Sequence, residues 1–103
     1  MRRGEIWWAE LGPPLGQRPA VLVSRDRAIA VRSSVTVVPI TARRRGIPVE
    51  VGLGPGDGVA RACVANADNV TTVTKTGLLR RMGRLPPDKL RALEDALRFA
   101  LAL

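Results

Sequence analysis

The sequence predicts a mainly β domain of the α+β kind: five to seven short strands in a small curled sheet or barrel, followed by a C-terminal helix. Three observations point there. Runs of β-branched and aliphatic residues recur at short intervals, as in Ala20–Ser24 and Ser34–Ile40. Clusters of glycine, proline and asparagine separate them. Only the last segment has a clear helical period. The chain has 103 residues, the length of one domain with one core, and no repeat, linker or second domain interrupts residues 1–103.

The elements follow in order. Glu5 to Leu11 alternates as a strand until Gly12-Pro13-Pro14 breaks it. Successive side chains of a strand face opposite ways, so one of Trp7 and Trp8 belongs to the core. The other belongs to the surface, an interface or a stacking platform. Ala20 to Ser24 reads as a short buried strand, Arg25 to Arg32 as a loop or one helical turn, and Ser34 to Ile40 as the central strand. A basic connection, Thr41-Ala42-Arg43-Arg44-Arg45-Gly46, leads to a strand around Pro48 to Val51. Gly52-Leu53-Gly54-Pro55-Gly56-Asp57-Gly58 reads as a flexible hairpin rather than a phosphate loop, because a strand at Val59 to Ala65 follows where a helix would be needed. Asn66 to Asn69 is a polar turn, and strands are expected at Val70 to Val73 and Arg81 to Leu85. Pro87 suits a first helical position. Leu90, Leu93, Leu97, Ala100 and Leu101 then mark a face packed on the sheet, with Glu94, Arg91 and Arg98 on a solvated outer face.

Composition narrows the chemistry. Net charge is +8 with a pI near 11.6, which favours polyanionic partners and salt-sensitive binding. Of the 17 basic residues only Lys75 and Lys89 are lysine; arginine grips phosphate bidentately, although a GC-rich genome yields the same bias. The chain lacks histidine and tyrosine and has one cysteine, Cys63. Paired-histidine ribonuclease chemistry, a histidine-based hydrolase triad, an internal disulfide and a zinc site therefore lack their residues. No cofactor or metal is expected. Met1-Arg2-Arg3 runs straight into a strand pattern without an apolar signal core, and no stretch is long enough to span a bilayer. A soluble, cytoplasmic protein without membrane contact is the expectation.

Two segments each join an aliphatic run to one polar group at a strand end: Gln17-Arg18-Pro19-Ala20-Val21 and Val37-Val38-Pro39-Ile40-Thr41. Arginine leads into one strand and threonine leaves the other. Together at the rim of a small barrel, these groups suit a phosphodiester. Taken singly, an arginine before a proline is also an ordinary surface residue, and a threonine at a strand end an ordinary turn hydroxyl.

Over nearly its full length the sequence resembles the MazF/PemK (Kid) toxins of type II toxin–antitoxin systems. The residues that carry the resemblance are Arg3-Gly4-Glu5-Ile6-Trp7-Trp8, Leu11-Gly12-Pro13, Arg18-Pro19-Ala20-Val21, Val37 to Thr41, Gly83-Arg84-Leu85 and Leu93-Glu94-Asp95-Ala96-Leu97. Their order and spacing are more specific than any one of them. The resemblance implies a small SH3-like barrel, shared with CcdB-like toxins, that forms a homodimer. It also implies a metal-independent, sequence-specific endoribonuclease, an mRNA interferase acting on single-stranded RNA. In that family the ribose 2′-OH attacks the adjacent phosphate, leaving 2′,3′-cyclic phosphate and 5′-OH ends. Its catalytic arginine and threonine fall on Arg18 and Thr41. A cognate antitoxin with an acidic, partly disordered segment is the implied partner, and its charge complements +8.

The pattern also departs from the family. Many relatives carry a longer first loop with a glutamate, whereas Leu11 to Gln17 is short and contains no acid; the nearest, Glu10, belongs to the strand. Asp68 is the candidate for the missing acid–base or RNA-contacting group. Relatives often have Asp-Gln-x-Arg or Asp-Gln-x-Lys here, and this chain has Asp68-Asn69-Val70-Thr71; a turn-forming role for Asn66 to Asn69 is the alternative. Gln17, Asn66 and Asn69 can read base edges, and Arg43, Arg44 and Arg45 can hold phosphates unless they form a merely solvated loop. Two rival functions exist. A gyrase poison of the same fold relies on a C-terminal Trp-Gly-Ile, and this chain ends Leu101-Ala102-Leu103. A non-catalytic RNA-binding barrel is the other.

Overall fold

A computed structural model describes all 103 residues. Seven strands form one curled antiparallel sheet: β1 (Glu5–Glu10), β2 (Gln17–Leu22), β3 (Ser34–Thr41), β4 (Glu50–Leu53), β5 (Cys63–Asn66), β6 (Thr71–Thr74) and β7 (Leu78–Arg84). A short helix α1 (Asp26–Val31) joins β2 to β3, and α2 (Pro87–Leu101) ends the chain. The strand order is β4-β5-β3-β2-β1-β7, with β6 paired to β3. β3 is the hub, and its register explains why. Ser34–Val37 pairs with β6, Ile40–Thr41 with β5, and Val37–Pro39 with β2 along the other edge.

The expected barrel is curled but not closed by hydrogen bonds, since β4 and β7 end the strand order without pairing to each other. Packing bridges the gap instead. Gly58, at φ +90°, lies against Gly83 of β7, and a Cβ built on Gly83 would come 3.2 Å from the Gly58 Cα. The β4–β5 connection can cross β7 so closely because neither residue has a side chain.

Both faces of the central strands are buried. Ile6, Val21, Val38, Ile40, Val51, Leu53, Ala65 and Leu93 belong to a core under α2, while Ala9, Ala20, Leu22, Ile29, Val35, Val37 and Leu78 form a second on the opposite face, with Ile29 supplied by α1. Neighbours on one strand therefore enter different cores, as Val37 and Val38 do. This is why β2 and β3 read as continuous apolar runs rather than as alternation.

Several expectations need correction. The strand expected at Val59 to Ala65 forms only at Cys63–Asn66, because Pro55–Asp57 makes a 3-10 turn in which the Asp57 carboxylate accepts the Gly54 N–H at 2.9 Å. The strand expected around Pro48 is displaced to Glu50–Leu53, and the last strand starts earlier, at Leu78. Neither tryptophan is fully buried. Trp7 packs beside the second core, and Trp8 stands where β1 pairs with Pro19, at a rim that α2 does not cover; α2 packs on β4 and the turn at Ala67–Asn69. Leu93 and Ala96 bury the inner face of α2, but Leu101 is exposed and only borders a shallow cavity with Val23, Thr36 and Val70. Glu94 is not simply solvated, since it forms an ion pair with the Arg3 guanidinium. No helix is long and apolar enough to cross a membrane.

Glu5 is a nearly buried carboxylate with its partners in place. It accepts from Arg2 N at 3.1 Å and Trp7 Nε1 at 3.0 Å, and pairs with Arg81 Nε at 3.2 Å. Burial alone would raise its pKa; the three donors together leave it below the usual carboxylate value.

Candidate active site

Arg18 and Thr41 come together through strand register. The β2–β3 ladder pairs Leu22 with Val37, Val21 with Val38 and Ala20 with Pro39, and then stops. Carried on two residues, the same register sets Arg18 opposite Thr41. Pro19 and Pro39 each lack an N–H, so the ladder has few donors where it ends. By alternation Arg18 shares a face with Ala20 and Leu22, and Thr41 shares one with Val37 and Pro39. Both residues thus stand where the second core's apolar face runs out.

They line one open groove of about 610 Å³. Arg43, Arg45 and Ile47 of the β3–β4 connection form one side, Asn66, Asp68 and Asn69 another, and Pro14 and Leu15 a third. Three guanidinium groups therefore face one carboxylate, which makes the groove cationic. Gln17 and Arg44 do not line it. Gln17 instead accepts the Trp8 indole N–H at 3.2 Å, outside the groove. Arg44 points into a separate cavity with Asp57, Cys63 and Lys89. The alternation of Arg43, Arg44 and Arg45 along an extended loop divides the triplet between the two.

Local bonds hold these groups in place. Arg18 Nε donates to the Leu15 carbonyl at 2.8 Å, which anchors the stem and leaves the terminal nitrogens for other partners. The turn that carries Leu15 is closed by Leu11 N to Gly16 O at 3.0 Å and Gly16 N to Gly12 O at 2.8 Å. Glu10, the strand's last residue, caps the turn by accepting from Gly12 N at 3.1 Å. Thr41 Oγ1 accepts the Arg43 N–H at 3.2 Å, so the hydroxyl proton remains available to donate. Asn66 Oδ1 accepts the Asp68 N–H at 2.9 Å and shapes the turn after β5. Asp68 itself is exposed, with its carboxylate on the groove. Asn66 and Asp68 therefore serve the turn and line the groove together; the two roles do not compete.

Sequence reasoning missed Glu50. Its carboxylate accepts from Arg45 N at 3.1 and 3.0 Å and from Gly46 N at 2.8 Å, pinning the arginine loop from beneath. Desolvation opposes its charge, but these amides and the Arg44 charge outweigh that and lower its pKa. No local pattern announces such a brace, which depends on a loop folding back onto the first residue of β4. Pro14 and Leu15 were missed as well, since the first loop carries no reactive group to draw attention.

Residues 2–101 match the PemK-like, MazF-like toxins of type II toxin–antitoxin systems, and the chain belongs to that family. It is 41% identical over 100 residues to a probable endoribonuclease, MazF5, of Mycobacterium tuberculosis, covering 96% of this chain and 91% of that one. It is 39% identical over 115 residues to endoribonuclease MazF9 of the same organism, covering 100% and 98%. Among solved structures it is similar to a mycobacterial endoribonuclease in complex with its cognate antitoxin, with TM-score 0.90, 33% identity and coverage of 100% and 96%. The M. tuberculosis toxin MazF-mt6 superposes with TM-score 0.88 at 30% identity, covering 96% of this chain and 97% of that one.

Proposed function

We propose that this protein is the toxin of a toxin–antitoxin pair and a metal-independent endoribonuclease. It cuts single-stranded RNA at short sequences and thereby arrests translation and growth. The observation that carries the reading is the convergence of Arg18 and Thr41 on one groove with two further arginines, an aspartate and two amides.

The chemistry follows from charge. In-line attack of a ribose 2′-OH on the neighbouring phosphate builds negative charge on the non-bridging oxygens. The attack forms the 2′-O–P bond as the bond to the 5′-oxygen breaks, leaving a 2′,3′-cyclic phosphate and a 5′-OH. A pre-positioned guanidinium and a hydroxyl donor stabilise that charge more strongly in the transition state than in the ground state. Arg18, tied by Nε to Leu15, acts as the clamp; a guanidinium carries only donors and no acceptor, so it does not serve as a general base. Thr41 donates its free proton to a non-bridging oxygen. Asp68 supplies the carboxylate that the short first loop lacks, taking the 2′-OH proton, while solvent water in the open groove protonates the departing 5′-oxygen. Arg43 and Arg45 hold flanking phosphates, and Asn66 and Asn69 meet base edges.

Two copies of the chain form the working enzyme in the cytoplasm. An antitoxin with an acidic, partly disordered segment blocks the cationic groove by competing with RNA. The test is incubation of the purified protein with a long transcript in EDTA. Discrete fragments ending in cyclic phosphate support the enzyme, whereas bound but intact RNA would make the protein a non-catalytic RNA-binding module. Sedimentation that finds only an 11.1 kDa species counts against the dimer.

A further inference from the structure

A further cavity adjoins the groove and shares only Thr41 with it. Its volume is about 230 Å³, and Trp8, Pro19, Ile40 and Met82 make its walls, with Thr41 and Arg61 at its edge. Sheet register builds it. Trp8 pairs with Pro19 across β1 and β2, and the β2–β3 register carried on one residue sets Pro19 against Ile40. The three form a cross-strand row next to Arg18 and Thr41, with side chains on the opposite face of the sheet. α2 packs on β4 and the turn at Ala67–Asn69 and contributes no residue to this cavity.

The walls suit a flat aromatic ring. The Trp8 indole N–H is already engaged by Gln17 Oε1 at 3.2 Å, and the residue is only half-buried. The Cys63 thiol at the back is partly buried, and its pKa is raised by that burial and by Asp57 against the opposing pull of Arg61. It stays neutral and adds no charge. Thr41 borders this cavity and the groove alike. A nucleotide whose phosphate meets the Thr41 hydroxyl therefore has this cavity as its nearest apolar enclosure. The exposed Arg61 at the mouth favours a polyanion over an acid-free apolar partner.

We propose that this cavity is a nucleobase pocket: one base flanking the scissile linkage stacks against Trp8 and is held between Pro19 and Met82, with Arg61 at its edge. The pocket contributes to the choice of cleavage sequence. The inference rests on the ribonuclease reading of the Arg18–Thr41 groove.

The test is a cycle between protein and base. Cut sites are mapped on a transcript of known sequence, and an oligonucleotide carrying one site is made with an abasic residue on either side of the cut in turn. Trp8→Ala should lower kcat/KM on the intact oligonucleotide roughly 5- to 100-fold, the range of one lost base–aromatic stack, and Trp8→Phe far less. At one position base removal should cost the wild type a similar factor and Trp8→Ala almost nothing, since one contact is not lost twice. Additive losses at both positions overturn the pocket. So does RNA-independent, concentration-dependent quenching of Trp8 in a Trp7→Phe background, which would mean that a second copy fills it. Should Trp8→Ala fail to fold by circular dichroism, Met82→Ala and Arg61→Ala carry the same cycle. Arg18→Ala and Thr41→Ala are assayed alongside. Full cleavage by both overturns the ribonuclease groove itself; loss of cleavage in these variants with additive abasic costs overturns the pocket alone.

Discussion

Arg18 and Thr41 line one cationic groove, two residues past the Ala20–Pro39 pair on which the β2–β3 ladder ends. Twenty-two residues of intervening chain, including α1, separate them in sequence, yet one strand register sets their spacing. Arg18→Ala and Thr41→Ala should each reduce RNA cleavage by about 10²–10³ while leaving thermal stability near wild type, because neither side chain is part of a core. Arg18→Lys should rescue little, since lysine has neither the Nε that bonds Leu15 nor a planar fork for phosphate. Single-turnover rates on a short oligonucleotide, with melting curves, check this.

Asp68→Asn keeps the side chain's shape and the backbone bond to Asn66 but removes the charge. The expected result is a fall of roughly 10²–10⁴ in kcat with little change in KM, as for loss of a general base. A variant that cleaves at the wild-type rate would leave Asp68 with the turn alone.

Arg43 and Arg45 face the groove and Arg44 does not. Arg43→Ala and Arg45→Ala should therefore weaken RNA binding and lower the slope of log K against log salt by about one each, whereas Arg44→Ala should leave the slope nearer the wild-type value. Fluorescence anisotropy of a labelled RNA, bound to a cleavage-deficient variant at several salt concentrations, reads this directly.

Glu50→Gln tests the brace beneath that loop. A carboxylate whose folded pKa is depressed adds stability that is complete above its unfolded value, near 4.5, and is lost as pH falls through the lower folded pKa. The wild type should therefore melt higher than Glu50→Gln at neutral pH, and the two should converge in acid. Melting temperatures from about pH 7 down to about pH 2 check the sign. A gap that persists in acid would mean the carboxylate's charge is not what holds Arg45 and Gly46.

Gly58 and Gly83 test how the curl is held without strand pairing. Gly58→Ala forces a Cβ onto a left-handed backbone and should cost about 1 kcal/mol or more. Gly83→Val pushes its side chain into the Gly58 backbone and should cost about 1–3 kcal/mol. Urea unfolding midpoints measure both, and unchanged midpoints would place closure elsewhere.

Strand identity was legible wherever burial on one or both faces set the residue pattern, as in Ser34–Thr41, and so was the terminal helix behind Pro87. The break at Val59–Ala62 was not, because the apolar Val59 packs in the core from irregular backbone and reads no differently from a strand residue. Of the proposed site residues, Arg18, Thr41, Arg43, Arg45, Asn66, Asp68 and Asn69 share a groove, whereas Gln17 and Arg44 turn elsewhere. Residue type located the chemistry near those positions, but it could not say which way an exposed loop side chain points.

Sequence by itself determined the mainly β class, the basic character and the family, since these follow from local pattern, charge and the order of short motifs along the chain. Tertiary structure alone decided that Arg18 shares a groove with Thr41, that Glu50 braces the arginine loop, and that Trp8 lines a cavity. The physical reason is that each depends on strand register and on how loops fold back against the sheet. Those are properties of elements far apart in the chain, set by packing rather than by any neighbouring residue.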